Sequence, residues 1–161
     1  GGAKGYPNLN DDDWLWGGKI TDIEQTVRYG IRSAHDETRQ GMMPAFGRDG
    51  MLKRPEIAAV TDYVRSLSDL PVEKGADLET GARVYAESCS SCHGETGTGN
   101  HELGAPSLAD KIWLYGSDRA VIMETLWNGR NGMMPAWQGR LDETTIKALT
   151  VYVQTLGGGE K

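Results

Sequence analysis

The chain is poor in several kinds of residue. Among its 161 residues there are two cysteines, three histidines and one phenylalanine. No stretch approaches the roughly 18 to 20 continuous apolar residues that span a bilayer. Two cysteines cannot build a disulfide framework, nor a four-thiolate zinc site within one chain. Basic residues are in deficit: 17 Lys and Arg stand against 23 Asp and Glu, a formal net charge of −6. With no Lys/Arg cluster to neutralise a run of phosphates, nucleic acid is not an expected partner. An initiator Met and a basic-then-apolar leader are also missing, so the sequence reads as a fragment or a processed product whose membrane anchor, if any, lies outside it. What is present, 38% hydrophobic and 25% charged, suits one globular domain or two small ones.

The chain repeats itself. Pro7, Leu9, Asp11, Trp14, Leu15 and Gly17 recur 99 residues later as Pro106, Leu108, Asp110, Trp113, Leu114 and Gly116, and Thr26 and Gly30 as Thr125 and Gly129. Gly41-Met42-Met43-Pro44-Ala45-Phe46 then matches Gly132-Met133-Met134-Pro135-Ala136-Trp137 at an offset of 91, so the first copy carries eight extra residues around Ser33 to Arg39. Ile57, Val60, Tyr63, Val64 and Leu67 pair with Ile146, Leu149, Tyr152, Val153 and Leu156 at an offset of 89. The reading is all-α, with two tandem copies of one module: residues 1–70, a Pro- and Gly-containing linker at 71–77, and residues 78–161. Only the second copy has the segment from Asp77 to Asn100, so the first is expected to be truncated at its N-terminus.

Leu78, Ala82, Tyr85, Cys89 and Cys92 share one stripe of a predicted helix that presents both thiols on its buried face. Asp118 is expected to open another, running through Val121, Ile122 and Leu126 to Gly129; its counterpart begins near Thr21 and ends at Gly30. The last helix of each copy follows Pro55 or an Asp142 cap. Gly81 and Tyr85 are expected to cross closely against the final helix at Tyr152. Without a leading helix in its own copy, the stripe from Ile57 to Leu67 calls for contact with the second copy or with residues upstream.

Cys89-Ser90-Ser91-Cys92-His93 is the Cys-x-x-Cys-His pattern of covalent c-type haem attachment. Thiols at i and i+3 can each add to a vinyl group at the porphyrin edge, while the adjacent His93 supplies the proximal axial ligand. A disulfide-exchange pair, or half of an intermolecular zinc site, is the other reading. A six-coordinate electron-transfer haem needs a second ligand, and methionine is the soft partner that raises the potential. Met134, directly before Pro135 in a glycine-flanked loop, is the expected choice over Met133. Met43 is the equivalent in the first copy. His35 and His101 are weaker candidates. Pro106, Trp113, Tyr115, Pro135 and Trp137 are expected to line the haem pocket, with indole and phenol tips suited to haem propionates.

The pairing of Gly-x-Pro-x-Leu-x-Asp, Trp-Leu-[Trp/Tyr]-Gly and Gly-Met-Met-Pro-Ala-[Phe/Trp] in tandem copies with Cys-x-x-Cys-His resembles the di-haem c-type subunit (subunit III) of cbb3-type cytochrome c oxidases. The resemblance implies two class I cytochrome c-like modules in the bacterial periplasm on an N-terminal transmembrane anchor. Each would hold a His/Met haem c and relay electrons from a donor c-type cytochrome towards the membrane-bound catalytic and mono-haem subunits. Carried over residue by residue, it implies one complete site at Cys89, Cys92, His93 and Met134, and Met43 as distal ligand of a second haem whose Cys-x-x-Cys-His is absent here. On this reading the chain is an electron-transfer module, not an enzyme by itself. A soluble di-haem carrier of the c4 type and a di-haem peroxidase domain are the alternatives. Residues 1–75 carry 10 basic and 12 acidic residues and residues 76–161 carry 7 and 11, net −2 and −4, so an acidic rim on the second module is expected to steer a basic donor.

Overall fold

The computed structural model describes residues 5–159. They form six helices: α1 (Ile20–Tyr29), α2 (Arg54–Leu67), α3 (Leu78–Ser88), α4 (Ser90–His93), α5 (Arg119–Asn128) and α6 (Glu143–Leu156). No sheet is present among the described residues, only isolated bridges. No helix of the described residues is long and apolar enough to cross a membrane.

Helix boundaries follow local chemistry. Pro55 sits in the first turn of α2, and the Asp142 and Asp77 carboxylates accept from Thr145 N and Thr80 N to cap α6 and α3. Helices α1 and α5 stop at Gly30 and Gly129, whose φ values of 74° and 69° suit glycine. Asp118 stands at the N-cap of α5 as expected, but its side chain makes no cap bond.

The compact units do not follow the sequence copies. One contains the residues up to Gly41, with His101–Gly104 and the stretch from Asn131 onwards; the other contains Met42–Asn100 and Ala105–Arg130. Each therefore takes helices from both copies. In the first unit α1 packs on α6 around Ile23, Val27 and Ile146. In the second, α2 packs on α3 and α5, and Phe46, Ile57, Val60, Val64, Val84, Tyr85, Cys89, Ile122 and Leu126 form the core. The stripe of α2 thus finds its partner in a helix of the second copy. Burying each such aliphatic side chain stabilises by about 1.5–3 kcal/mol relative to exposure.

Helix α3, and not α6, is the neighbour of α2 for a topological reason. The α2–α3 connection is ten residues, 68–77, so closing it costs little chain entropy and consecutive helices meet. The expected crossing of Gly81 and Tyr85 with Tyr152 is therefore corrected: their neighbour is α2. A Cβ on Gly81 would lie 2.4 Å from the Ala59 carbonyl oxygen, and the Tyr85 and Tyr63 rings are 5.4 Å apart. Tyr152, the repeat counterpart of Tyr63, is 60% exposed. The buried Asp62 locks this unit further through Arg119, which donates to it at 2.8–3.2 Å.

Candidate haem site

The expected single helix through both cysteines is broken. Cys89 ends α3 with φ −122° and ψ −33°, and the single turn α4 carries Ser90 to His93. The buried face of α3 is Gly81, Val84 and Tyr85, with Leu78 turned outwards. Cys89 is buried in the core cluster and Cys92 is half-buried, and both are free thiols. Burial pushes the Cys89 thiol up to about 11, with the neighbouring Cys92 adding to the effect. A neutral, buried thiol is a poor nucleophile for disulfide exchange.

His93 is oriented from the loop that follows it. Gly94, at φ 80°, turns the chain out of α4, and the Tyr85 hydroxyl donates to its carbonyl at 2.7 Å. The chain returns through Gly99 N to His93 O at 2.8 Å and the reciprocal Asn100–Ala105 backbone pair, bringing the Pro106 carbonyl to 2.9 Å from His93 Nδ1. A carbonyl can only accept, so Nδ1 carries the proton and Nε2 keeps its lone pair for a metal. Burial lowers the His93 pKa against the opposing effect of this hydrogen bond, which favours the neutral, ligating imidazole.

Seven of the expected residues fall in the second unit: Cys89, Cys92, His93, Pro106, Trp113, Tyr115 and Met43. Met134, Pro135 and Trp137 fall in the first. Met43 packs against the core cluster that includes Cys89, as do Leu108 and Trp113. In both Met-Met-Pro segments the residue before proline is partly buried, whereas Met42 and Met133 are 68% and 74% exposed.

Each Met loop is held by the other copy's helix end. Met43 and Arg130 exchange backbone bonds at 3.4 and 3.3 Å in the second unit; Ile31 and Met134 do so at 2.9 Å in the first. Ile31 and Arg130 are repeat counterparts, so the exchange is reciprocal. The helix-ending glycines make it possible. A Cβ on Gly129 would lie 2.4 Å from Met43 O, and one on Gly30 2.3 Å from Met134 O.

The fit to haem can be judged on these side chains. Two thiols three residues apart, an imidazole with Nε2 available and a thioether on the same core supply the attachment and ligand set of a c-type site. Trp113 Nε1 is buried with no hydrogen-bond partner, which leaves a donor for an acceptor on a bound group. Arg130, which sequence reasoning did not single out, lies 4.0 Å over the Tyr115 ring and donates to Thr125 Oγ1 through Nε and Nη2. Nothing in its local sequence marks it. His101 is exposed, and His35 stacks on Tyr29 at 4.6 Å; among the described residues no group of three or more His, Cys, Asp or Glu could hold a metal ion.

Residues 76–153 match the family model of cytochrome c oxidase, cbb3-type, subunit III. The chain is also 62% identical over 159 residues to the cbb3-type cytochrome c oxidase subunit FixP of Bradyrhizobium sp. (strain ORS 278), covering 99% of this chain and 55% of that protein. Both similarities are to subunits of cbb3-type cytochrome c oxidases. FixP of Bradyrhizobium diazoefficiens is 60% identical over the same shares of the two chains, and the subunit CcoP of Cereibacter sphaeroides is 50% identical over 99% of this chain and 55% of its own. The chain thus spans about half the length of these relatives. These relatives are named as subunits of a cbb3-type cytochrome c oxidase, and the described residues of this chain are helical with no sheet.

Proposed function

We propose that this chain carries a c-type haem on Cys89 and Cys92, with His93 as proximal and Met43 as distal ligand, and passes single electrons within a cbb3-type oxidase. The observation that carries the reading is the His93–Pro106 hydrogen bond at the end of a Cys-x-x-Cys-His turn, in the same unit as an inward-turned Met43. This pairing replaces Met134 of the same sequence copy as the preferred distal ligand. Met134 would serve a second haem in the first unit, attached by residues outside this chain.

A bound haem supplies a one-electron iron couple. The protein's work is then to hold both ligands through the redox change and to set the potential. Pro106 fixes the proton on His93 Nδ1, and the Gly129–Met43 contact fixes the loop that brings the thioether. The packed aliphatic and aromatic core excludes water, which disfavours the extra positive charge of the oxidised site. No substrate pocket is needed for outer-sphere transfer. A donor c-type cytochrome on one side, and membrane-bound catalytic and mono-haem subunits on the other, are the proposed partners, in the periplasm.

Denaturing intact mass of the full-length protein, with proteolytic mapping, tests the reading. The peptide containing Cys89 and Cys92 should retain one haem by thioether bonds, and Cys89→Ala/Cys92→Ala should lose it. A haem-free peptide from protein matured with haem-attachment machinery would return the two cysteines to thiol chemistry.

A further inference from the structure

The repeat offers an internal comparison on the outer side of its helices. In the first unit Arg28 of α1 is closed by carboxylates: it donates to Glu143 Oε1 and Oε2 at 2.6 and 2.8 Å and to Glu24 Oε1 at 2.6 Å. The counterparts of Arg28, Glu24 and Glu143 in the second unit are Trp127, Met123 and Arg54, so the basic residue has changed helix and both carboxylates are gone. Arg54 lies over the Trp127 ring at 4.6 Å, and among the described residues its guanidinium has no carboxylate partner. A cation–π contact at an exposed site contributes about 0.5–1 kcal/mol and leaves the N–H fork open for an acceptor. With Ile57, Met123, Glu124 and Asn128 this pair lines a cleft of about 230 Å³ between α2 and α5. Small-molecule sites run from roughly 300 to 1,000 Å³, so this cleft suits one or two side chains of a partner, and Trp and Arg are the residue types that anchor interfaces. Glu124 repels an occupant that is anionic throughout, which selects a single carboxylate on an apolar body.

We infer that this cleft docks a neighbouring subunit of the oxidase, through a segment that presents one carboxylate to Arg54 and an apolar side chain to Trp127, Met123 and Ile57. A net charge of −6 opposes diffusional encounter with an acidic soluble protein, but not a contact held inside a complex. The Trp127 ring rests on the Met43 loop: a Cβ on Gly47 would lie 2.2 Å from it, and Arg48 N donates to the Trp127 carbonyl at 3.0 Å. A segment docked on Trp127 therefore backs the loop of the proposed distal ligand. The inference rests on the proposed place of this chain in an oxidase, and not on its haem ligands.

The test uses the purified oxidase complex containing the full-length subunit, with a photo-cross-linker placed in the cleft by Asn128→p-benzoylphenylalanine or Glu124→p-benzoylphenylalanine. On illumination at least one of the two should attach to a segment of a neighbouring subunit that holds an Asp or Glu beside an apolar residue. Arg54→Glu should lower that yield about tenfold or more, as expected when a close charge pair turns repulsive. Glutamate suits the first turn of α2, so helical content and haem count should hold in this variant. Changing the partner's carboxylate to lysine in the Arg54→Glu background should restore the yield. An unchanged yield in Arg54→Glu, or a loss that the partner's lysine does not rescue, overturns the inference. So does attachment from neither site, or attachment only to a soluble donor cytochrome or a bound small carboxylic acid. Charge-dependent attachment in protein without haem at Cys89 and Cys92 overturns the haem reading and leaves the docking standing. A full-length subunit that does not co-purify with an oxidase overturns both.

Discussion

Replacing Gly129 by alanine should damage the fold and the haem ligation together. Gly129 ends α5 at φ 69° and ψ 177°, a conformation essentially reserved for glycine, so an alanine there stores about 1–3 kcal/mol of strain. Its Cβ would stand 2.4 Å from Met43 O, 2.9 Å from Pro44 C and 3.0 Å from Ala45 N. All three atoms are backbone and cannot yield by a rotamer change, so overpacking adds about 1–3 kcal/mol. The stiffer unfolded chain gives back only about 0.4–1 kcal/mol. The net loss is about 1–5.6 kcal/mol, unless the Met43 loop moves away. That movement would take the thioether with it, so the two outcomes are complementary. Denaturant unfolding reads the first and the visible spectrum of the haem at Cys89 and Cys92 reads the second, through loss of the Met–iron signature. Gly30→Ala makes the equivalent collision with Met134, Pro135 and Ala136 in the first unit and should spare that haem's methionine. A Gly129→Ala protein with unchanged stability and unchanged Met ligation would refute the reasoning. So would Gly30→Ala, and not Gly129→Ala, disturbing the haem on His93.

Asp62→Asn should destabilise the second unit by about 2 kcal/mol: it breaks a buried carboxylate's pairing, but Arg119 is exposed enough to recover some hydration. The same pair gives a pH dependence. Arg119 holds the Asp62 carboxyl below its usual range, so its stabilisation is present above the ordinary carboxylate pKa of about 4 and is lost as pH falls through the lowered folded-state value. Acid unfolding followed by helical circular dichroism should therefore begin at higher pH in wild type than a carboxylate-free Asp62→Asn background corrected for its lower starting stability; identical acid limbs would count against it. Tyr85→Phe removes the donor to Gly94 O and should cost about 1 kcal/mol by the same unfolding assay, with no loss of covalent haem. Asp142→Ala removes the α6 cap and should cost about 1 kcal/mol, confined to the first unit. Transfer from a basic donor cytochrome should slow as ionic strength rises, and a flat salt profile would refute electrostatic steering.

Local signals in the sequence translated well into local structure. Proline in the first turn of α2, the Asp142 cap and the glycines that end α1 and α5 all act through a few neighbouring atoms, and each stands where the spacing put it. The break at Cys89 was not legible, because a heptad-like stripe continues through Cys92 whether or not the backbone does. What the sequence withheld altogether was the pairing of elements. Ile57, Val60, Val64 and Leu67 have the same spacing as Ile146, Leu149, Val153 and Leu156, so periodicity offers either helix equally to α3. The duplication that made the modules easy to recognise made their partners ambiguous. Chain connectivity breaks the tie: ten residues separate α2 from α3, whereas α4, α5 and the Met134 loop lie between α3 and α6. Once α2 takes the face of α3, the loop just before it comes along, and that loop carries Met43. The proposed choice of Met43 as distal ligand therefore rests less on the Met-Pro motif, which both copies share, than on the packing of α2 against α3.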